Sequence, residues 1–111
     1  MIYKSFDIVV VPFPFTDKSS EKRRPVVVLS SLSPHHTILS MITSTHLEPW
    51  KSDINIERWQ EAGLTTSSRI RFKIFTLDQT LILKTLGKLH TQNQSKLRQT
   101  LKDIFPIDVT P

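Results

Sequence analysis

Two runs of β-branched residues, "DIVVVP" at residues 7–12 and "PVVVLSS" at residues 25–31, flank the polar stretch "FPFTDKSSEKRR". Valine and isoleucine lose side-chain freedom in a helix but pack well on a pleated surface. Both runs therefore read as buried strands, the first over residues 6–13 and the second over residues 25–31. Pro12 and Pro14 cannot donate to a ladder, which predicts a bend or a sheet edge near the end of the first strand. The polar stretch ends in Arg23 and Arg24, directly before Pro25. Proline confines the residue before it to extended backbone, so the Arg24 side chain leaves the chain in a narrow range of directions.

The same alternation of short apolar runs and turns continues. "TILSMITST" at residues 37–45 reads as a third strand, and "DINI" at residues 53–56 as a short fourth after the loop "HLEPWK". "ERWQEAGL" supplies one helical turn closed at Gly63, and "SSRIRFKIFTLD" returns to strand character. With period-two alternation, Arg69, Arg71 and Lys73 share one face of that strand, while Ile70, Phe72 and Ile74 share the other. The expectation is a core face and a positive stripe. Residues 80–89, "TLILKTLGKL", read as a further strand that bends at Gly87. "TQNQSKLRQTLKDIF" reads as a closing helix: Thr91 and Gln94 have capping-box spacing, Leu97, Leu101, Ile104 and Phe105 form an apolar stripe, and Pro106 stops it. Many short strands in 111 residues of 38% hydrophobic content, with no repeat or linker, predict one mainly β domain over residues 1–111: a small twisted barrel or half-open sheet packed by the terminal helix.

Composition narrows the chemistry. The chain has no cysteine, which excludes disulfides, a thiolate zinc site and a cysteine nucleophile, and points to a reducing cytoplasm. "MIYKSFD" reaches a charge too early for a secretory leader, and no later run has the length of a membrane span, so a soluble protein is expected. Fifteen Lys and Arg against ten Asp and Glu give a net charge of +5, which favours a polyanionic partner. The four histidines are scattered apart from the adjacent His35 and His36, and neighbours in sequence seldom chelate one ion, so no metal or other cofactor is expected.

Most charges of this kind are solvated surface groups. Arg24 stands out because its direction is fixed, and a fixed planar guanidinium suits a phosphate. Lys22 and Arg23, with Arg69, Arg71 and Lys73, add positive charge on two segments that could together wall a groove. Thr43 and Ser44 put hydroxyls where the third strand emerges from the core, able to donate to a phosphoryl oxygen. His46 is a candidate proton carrier, with Asp17 and Glu21 as further acceptors. Trp50 and Trp59 are core or interface anchors, or base-stacking groups.

In their order, "DIVVVPFPFTD", "RRPVVVLS", "SMITS" and "RIRFKIFTLD" resemble the PemK/MazF family of toxin endoribonucleases, also called the Kid family. The resemblance implies an SH3-like barrel with a C-terminal helix, a homodimer that cuts single-stranded RNA at specific sequences without a metal, and an antitoxin protein that neutralises it. It places the family's catalytic arginine on Arg24 and its catalytic threonine on Thr43, with Arg71 at the position of a later arginine. The chain departs from the family in three places. Lys73 stands where some members carry an acidic residue, the first loop lacks a histidine, and Phe6 replaces a glycine before Asp7. Three classes of function stay open at this stage: an RNA-cleaving toxin, a barrel that grips a protein target as gyrase-poisoning toxins do, and a nucleic-acid binder that does not cleave.

Overall fold

The computed structural model describes residues 3–12 and 22–107. Strands β1 (Asp7–Pro12), β2 (Arg23–Ser33), β3 (His36–Ser44), β4 (Ile54–Asn55), β5 (Ser68–Leu77) and β6 (Lys84–Lys88) precede one helix, α1 (Thr91–Ile104). The strands form a single sheet in the order β4-β5-β3-β2-β1-β6, antiparallel throughout. It curls into a half-barrel, as the succession of short apolar runs predicts.

Alternation along the strands loads both faces of this sheet with apolar side chains. Ile8, Val27, Ile42, Ile54 and Ile70 meet Leu89 and Leu97 on one side, where Ala62 and Leu64 complete the core. Val9, Val11, Val26, Val28, Leu39 and Met41 cluster on the other, covered by Ile82, Tyr3, Phe75 and Leu77. Each fully buried Val or Ile contributes about 1.5–3 kcal/mol by leaving water, so two packed faces hold the curl from both sides.

Several local expectations change. β1 is an interior strand between β2 and β6, so Pro12 marks its end and not a sheet edge. β2 begins at Arg23, two residues before Pro25, because β1 supplies a partner for each: Pro12 opposite Arg23 and Val11 opposite Arg24. Phe13, Pro14, Asp17 and Glu21 lie outside the described residues. The run 80–89 divides into a 3-10 turn (Gln79–Leu81) and β6. The capping box fails by one residue: His90 is the N-cap, its Nδ1 accepting from the Gln92 N–H at 3.2 Å, and Thr91 is the first helical residue. Phe6 adopts φ +76, a left-handed conformation that favours glycine. Its N–H donates to the Val28 carbonyl at 2.7 Å, and its carbonyl accepts from Leu89 N–H at 2.9 Å, which hold it there.

The single helical turn at residues 58–63 forms as expected and ends on Gly63 at φ +88. A Cβ there would sit 2.3 Å from the Leu86 carbonyl oxygen, and one on Gly87 would sit 2.5 Å from the Ala62 carbonyl oxygen. The two glycines thus let this turn lie directly on β6, and Gly87 is needed for close approach as much as for a bend. Gly63→Ala and Gly87→Ala should each destabilise the protein by about 2 kcal/mol or more. Urea unfolding checks this; a loss under about 0.5 kcal/mol for both would show that the turn does not pack against β6.

Candidate functional site

The strand registers bring the sequence candidates together. Val26 of β2 lies opposite Met41 of β3, the last pair of that ladder, and Arg24 and Thr43 each stand two residues beyond it on their own strands. Across the other edge of β3, Thr43 pairs with Arg69 and Met41 with Arg71. Thr43 and Arg69 therefore form one row across β3 and β5, and Val26, Met41 and Arg71 form the next across three strands, with Arg24 two residues beyond Val26 on the same face. Residues directly opposite in an antiparallel pair share a face, so both rows look the same way.

Two cavities open on this end of the sheet. One, of about 170 Å³, is lined by Arg24, Thr43, Ser44, Leu47, Thr65 and Thr66 among others. The second, of about 200 Å³, is lined by Arg24, Thr43, Leu47, Met41, Arg71 and Lys73 together with Ile42. Arg24, Ile42, Thr43 and Leu47 line both, so the two cavities adjoin along one cleft with Arg24 and Thr43 where they meet. Arg24 is exposed, and among the described residues no carboxylate pairs with it. Arg23, the next residue on the strand, points to the other side and lines a separate cavity of about 240 Å³ with Val10, Lys84 and Leu86. Lys22 is exposed just before the strand. The arginine pair is thus divided by the pleat, and Arg24 alone serves the cleft.

The expected positive stripe on β5 is reshaped by a neighbour that the sequence reading left unused. Arg71 is only 8% exposed. Its Nε and Nη2 donate to the Asp53 carboxylate at 3.3 and 2.9 Å, and Nη2 also donates to the Glu48 carbonyl at 2.6 Å. The Asp53 side chain is 3% exposed. Burial pushes its carboxyl up, but hydrogen bonds from Arg71 and the Trp50 N–H, with the charges of Arg71 and Arg69, outweigh that and hold it below the ordinary carboxylate range. Arg69 is committed as well, donating to Asn55 Oδ1 at 3.1 Å and to the Leu47 carbonyl at 3.0 Å. Of the three, Lys73 is the exposed cation. The same face carries Phe75 against Leu39, so it is a buried surface interrupted by cations and not a solvated stripe.

Between Arg71 and Ile74 the pairing with β3 slips, since Met41 opposes Arg71 while Ser40 opposes Ile74. Phe72 and Lys73 form a bulge with no β3 partner. Buried Ser40 closes it by donating from Oγ to the Arg71 carbonyl at 2.7 Å. Because two residues are inserted, the facing pattern of β5 is kept while the strand bends around the cleft.

The remaining candidates fall less centrally. Ser44 Oγ accepts from the His46 N–H at 3.1 Å, which fixes the turn leaving β3. His46 is exposed and lines neither cavity of the cleft. Trp59 is partly buried against the core, whereas Trp50 stands 44% exposed beside Arg71 and Lys73. Leu47, Asp53, Thr65 and Thr66 were not singled out from the sequence, because their loops carry no periodic pattern.

The family model for the PemK-like, MazF-like toxin of type II toxin-antitoxin systems matches residues 4–105. The chain belongs to the PemK/MazF toxin family. Its fold is that of solved members. It superposes on MazF in a MazE–MazF structure from Deinococcus radiodurans with a TM-score of 0.72 and 13% identity, covering 97% of this chain and 99% of that one. An endoribonuclease in complex with its cognate antitoxin, from a mycobacterial species, gives 0.73 and 9% over 98% of both chains. The Mycobacterium tuberculosis toxin MazF-mt6 gives 0.67 and 19% over 92% of this chain and 98% of that one. At such identities the likeness establishes the fold alone. No curated protein matches this chain closely in sequence.

Within this PemK/MazF chain, the carboxylate absent from position 73 is present in space. Asp53 reaches Arg71 from the β3–β4 connection, so the arginine keeps an acidic partner supplied by another element. Removing that partner leaves a nearly buried guanidinium with one carbonyl, and Asp53→Ala should cost about 3 kcal/mol. The carboxyl titrates below its unfolded value near 3.9, so its contribution is fully present above about pH 4 and is lost as pH falls through the folded value. The stability gap between wild type and Asp53→Ala, read by urea unfolding, should therefore narrow as the pH is taken down from about 4. A gap that stays constant as the pH falls would rule out the ion pair as its source.

Proposed function

We propose that this chain is the toxin of a toxin-antitoxin pair and acts as an endoribonuclease, cutting single-stranded RNA at specific sequences. The observation that carries this reading is the meeting of Arg24 and Thr43 in one cleft, with a second cation, Lys73, at its wall. The family supports it, as do neighbours of the same fold that are themselves endoribonucleases.

The chemistry is attack by the ribose 2′-hydroxyl on the adjacent phosphate, leaving a cyclic phosphate and a free 5′-hydroxyl. The nucleophile belongs to the substrate, so the chain has to hold the nucleotide in line and stabilise the charge that builds on the phosphorane. Arg24 offers the planar N–H fork of its guanidinium to the nonbridging oxygens. Thr43 donates its hydroxyl to the same group from the facing strand. Lys73 holds the flanking backbone, and Arg23 and Lys22 add to the attraction on the adjoining side. Arg71, neutralised by Asp53, supports the wall of the cleft. No step calls for a metal or other cofactor. The chain acts in the cytoplasm as a single toxin domain, pairs with a second copy of itself, and is held inactive by an antitoxin protein, as the solved complexes of its fold are bound to theirs.

The test uses purified protein and end-labelled single-stranded RNA, with and without chelator. Cleavage is expected to persist in chelator and to yield cyclic phosphate and 5′-hydroxyl ends. Arg24→Ala should lower kcat about a hundredfold, by analogy with losing one oxyanion donor, and Thr43→Val about tenfold. Cleavage by Arg24→Ala near the wild-type rate would refute the assignment, and binding without cleavage by the wild type would favour a nucleic-acid binder instead.

A further inference from the structure

A large aromatic side chain is held at the surface beside the cleft by groups that do not bury it. Trp50 is 44% exposed. The Arg71 guanidinium carbon lies 4.5 Å from the centroid of its indole ring, and Lys73 Nζ lies 5.2 Å away. Its backbone N–H donates to Asp53 Oδ2 at 2.8 Å, and the Asp53 N–H donates back to the Trp50 carbonyl at 3.0 Å. The same Asp53 carboxylate binds Arg71 at 2.9 Å. One buried carboxylate thus fixes both the backbone that carries the indole and the cation that lies against it. Arg69 and Arg71 further pin this loop by donating to the Leu47 and Glu48 carbonyls at 3.0 and 2.6 Å.

Such an arrangement is costly for a residue with a purely structural task. An indole that served only to shield the ion pair would gain most by being covered, yet Trp50 is an exposed residue whose ring lies against Lys73, which lines the cleft. A rigid aromatic surface beside an exposed cation matches a nucleotide part by part: the base stacks on the ring and the phosphate meets the ammonium. Because the loop is already tied by its backbone and by Asp53, little conformational entropy is lost when a base arrives.

We infer that Trp50 is a stacking platform for one nucleobase of the substrate, the base whose phosphate lies against Lys73 next to the scissile position. This rests on the reading of the chain as an RNA-cleaving enzyme and adds a positioning residue to it. Stacking tolerates any base, and a purine with its larger ring gains more than a pyrimidine. The role of Asp53 and Arg71 in substrate binding is then indirect, since they hold the platform.

The test compares Trp50→Ala and Trp50→Phe with wild type on an RNA that the wild type cleaves. Trp50→Ala is expected to raise KM about tenfold while kcat falls by much less, and Trp50→Phe to recover most of the loss, since base stacking on an aromatic ring is lost in one and kept in the other. In parallel, indole fluorescence is titrated with a single-stranded pool of 2′-deoxy oligonucleotides, which cannot be cleaved. Wild type should be quenched, and Trp50→Phe, which retains only Trp59, should not. An unchanged KM for Trp50→Ala, even with a lowered melting temperature, would overturn the inference and leave the proposed activity standing. A quench that survives in Trp50→Phe would overturn it too. Absence of cleavage by wild type refutes the activity alone if the Trp50-dependent quench is present, and both readings if it is not.

Discussion

The ion pair between Asp53 and Arg71 locks the loop that leaves β3 onto the body of the sheet, next to the short β4–β5 ladder and the hydrogen bonds that Arg69 and Arg71 make to the Leu47 and Glu48 carbonyls. Arg71 sits on β5, in the body of the sheet, whereas Asp53 ends a loop of nine residues, 45–53, that leaves β3 after Ser44. With its side chain almost fully enclosed, the Asp53 carboxylate accepts from two nitrogens of Arg71 and from the Trp50 backbone. The cost of taking both charges out of water is offset only because the hydrogen bonds are made together, which ties the loop to one position. That loop is the wall of the cleft, and Leu47 and Trp50 take their places from it.

The same pairing sorts the cations by task. A curled sheet with both faces buried leaves few sites where a positive side chain can meet solvent, and here they are the ends of strands and the bulge on β5. Arg69 and Arg71 are drawn inward by carbonyls and a carboxylate, while Arg24 and Lys73 stay exposed on either side of Thr43 and Leu47. A cleft built this way offers a phosphate two exposed cations on a rigid frame, with donors whose directions are set by strand pairing. Electrostatic stabilisation of a phosphorane depends on that preorganisation more than on total charge.

The strands were legible in the sequence because valine, isoleucine and phenylalanine at short spacing suit a pleated, buried surface, and Arg24 and Thr43 line the same cavities just beyond the end of the β2–β3 ladder. The start of β2 was not legible: Arg23 and Arg24 look like loop residues until Val11 and Pro12 stand opposite them. Helix α1 showed its apolar stripe, but its cap moved to His90, a residue whose Nδ1 can act as an N-cap acceptor although capping patterns do not name it. Least legible was the partner of Arg71. Asp53 lies eighteen residues away in a loop of mixed polarity, and nothing in local periodicity distinguishes a carboxylate that will be buried against an arginine from one that stays in water. The bulge itself, closed by the hydroxyl of Ser40, left the facing pattern of β5 unchanged and so left no trace in the alternation.

The most direct test of this account is a crystal structure of the chain bound to an RNA in which the scissile nucleotide is 2′-deoxy and therefore inert. The account places a nonbridging oxygen of the scissile phosphate within hydrogen-bond distance of both the Arg24 guanidinium and the Thr43 hydroxyl, with Arg71 still paired to Asp53. A phosphate seated on Arg71 with that ion pair broken, or an RNA lying on the helix-covered face of the sheet, would contradict it.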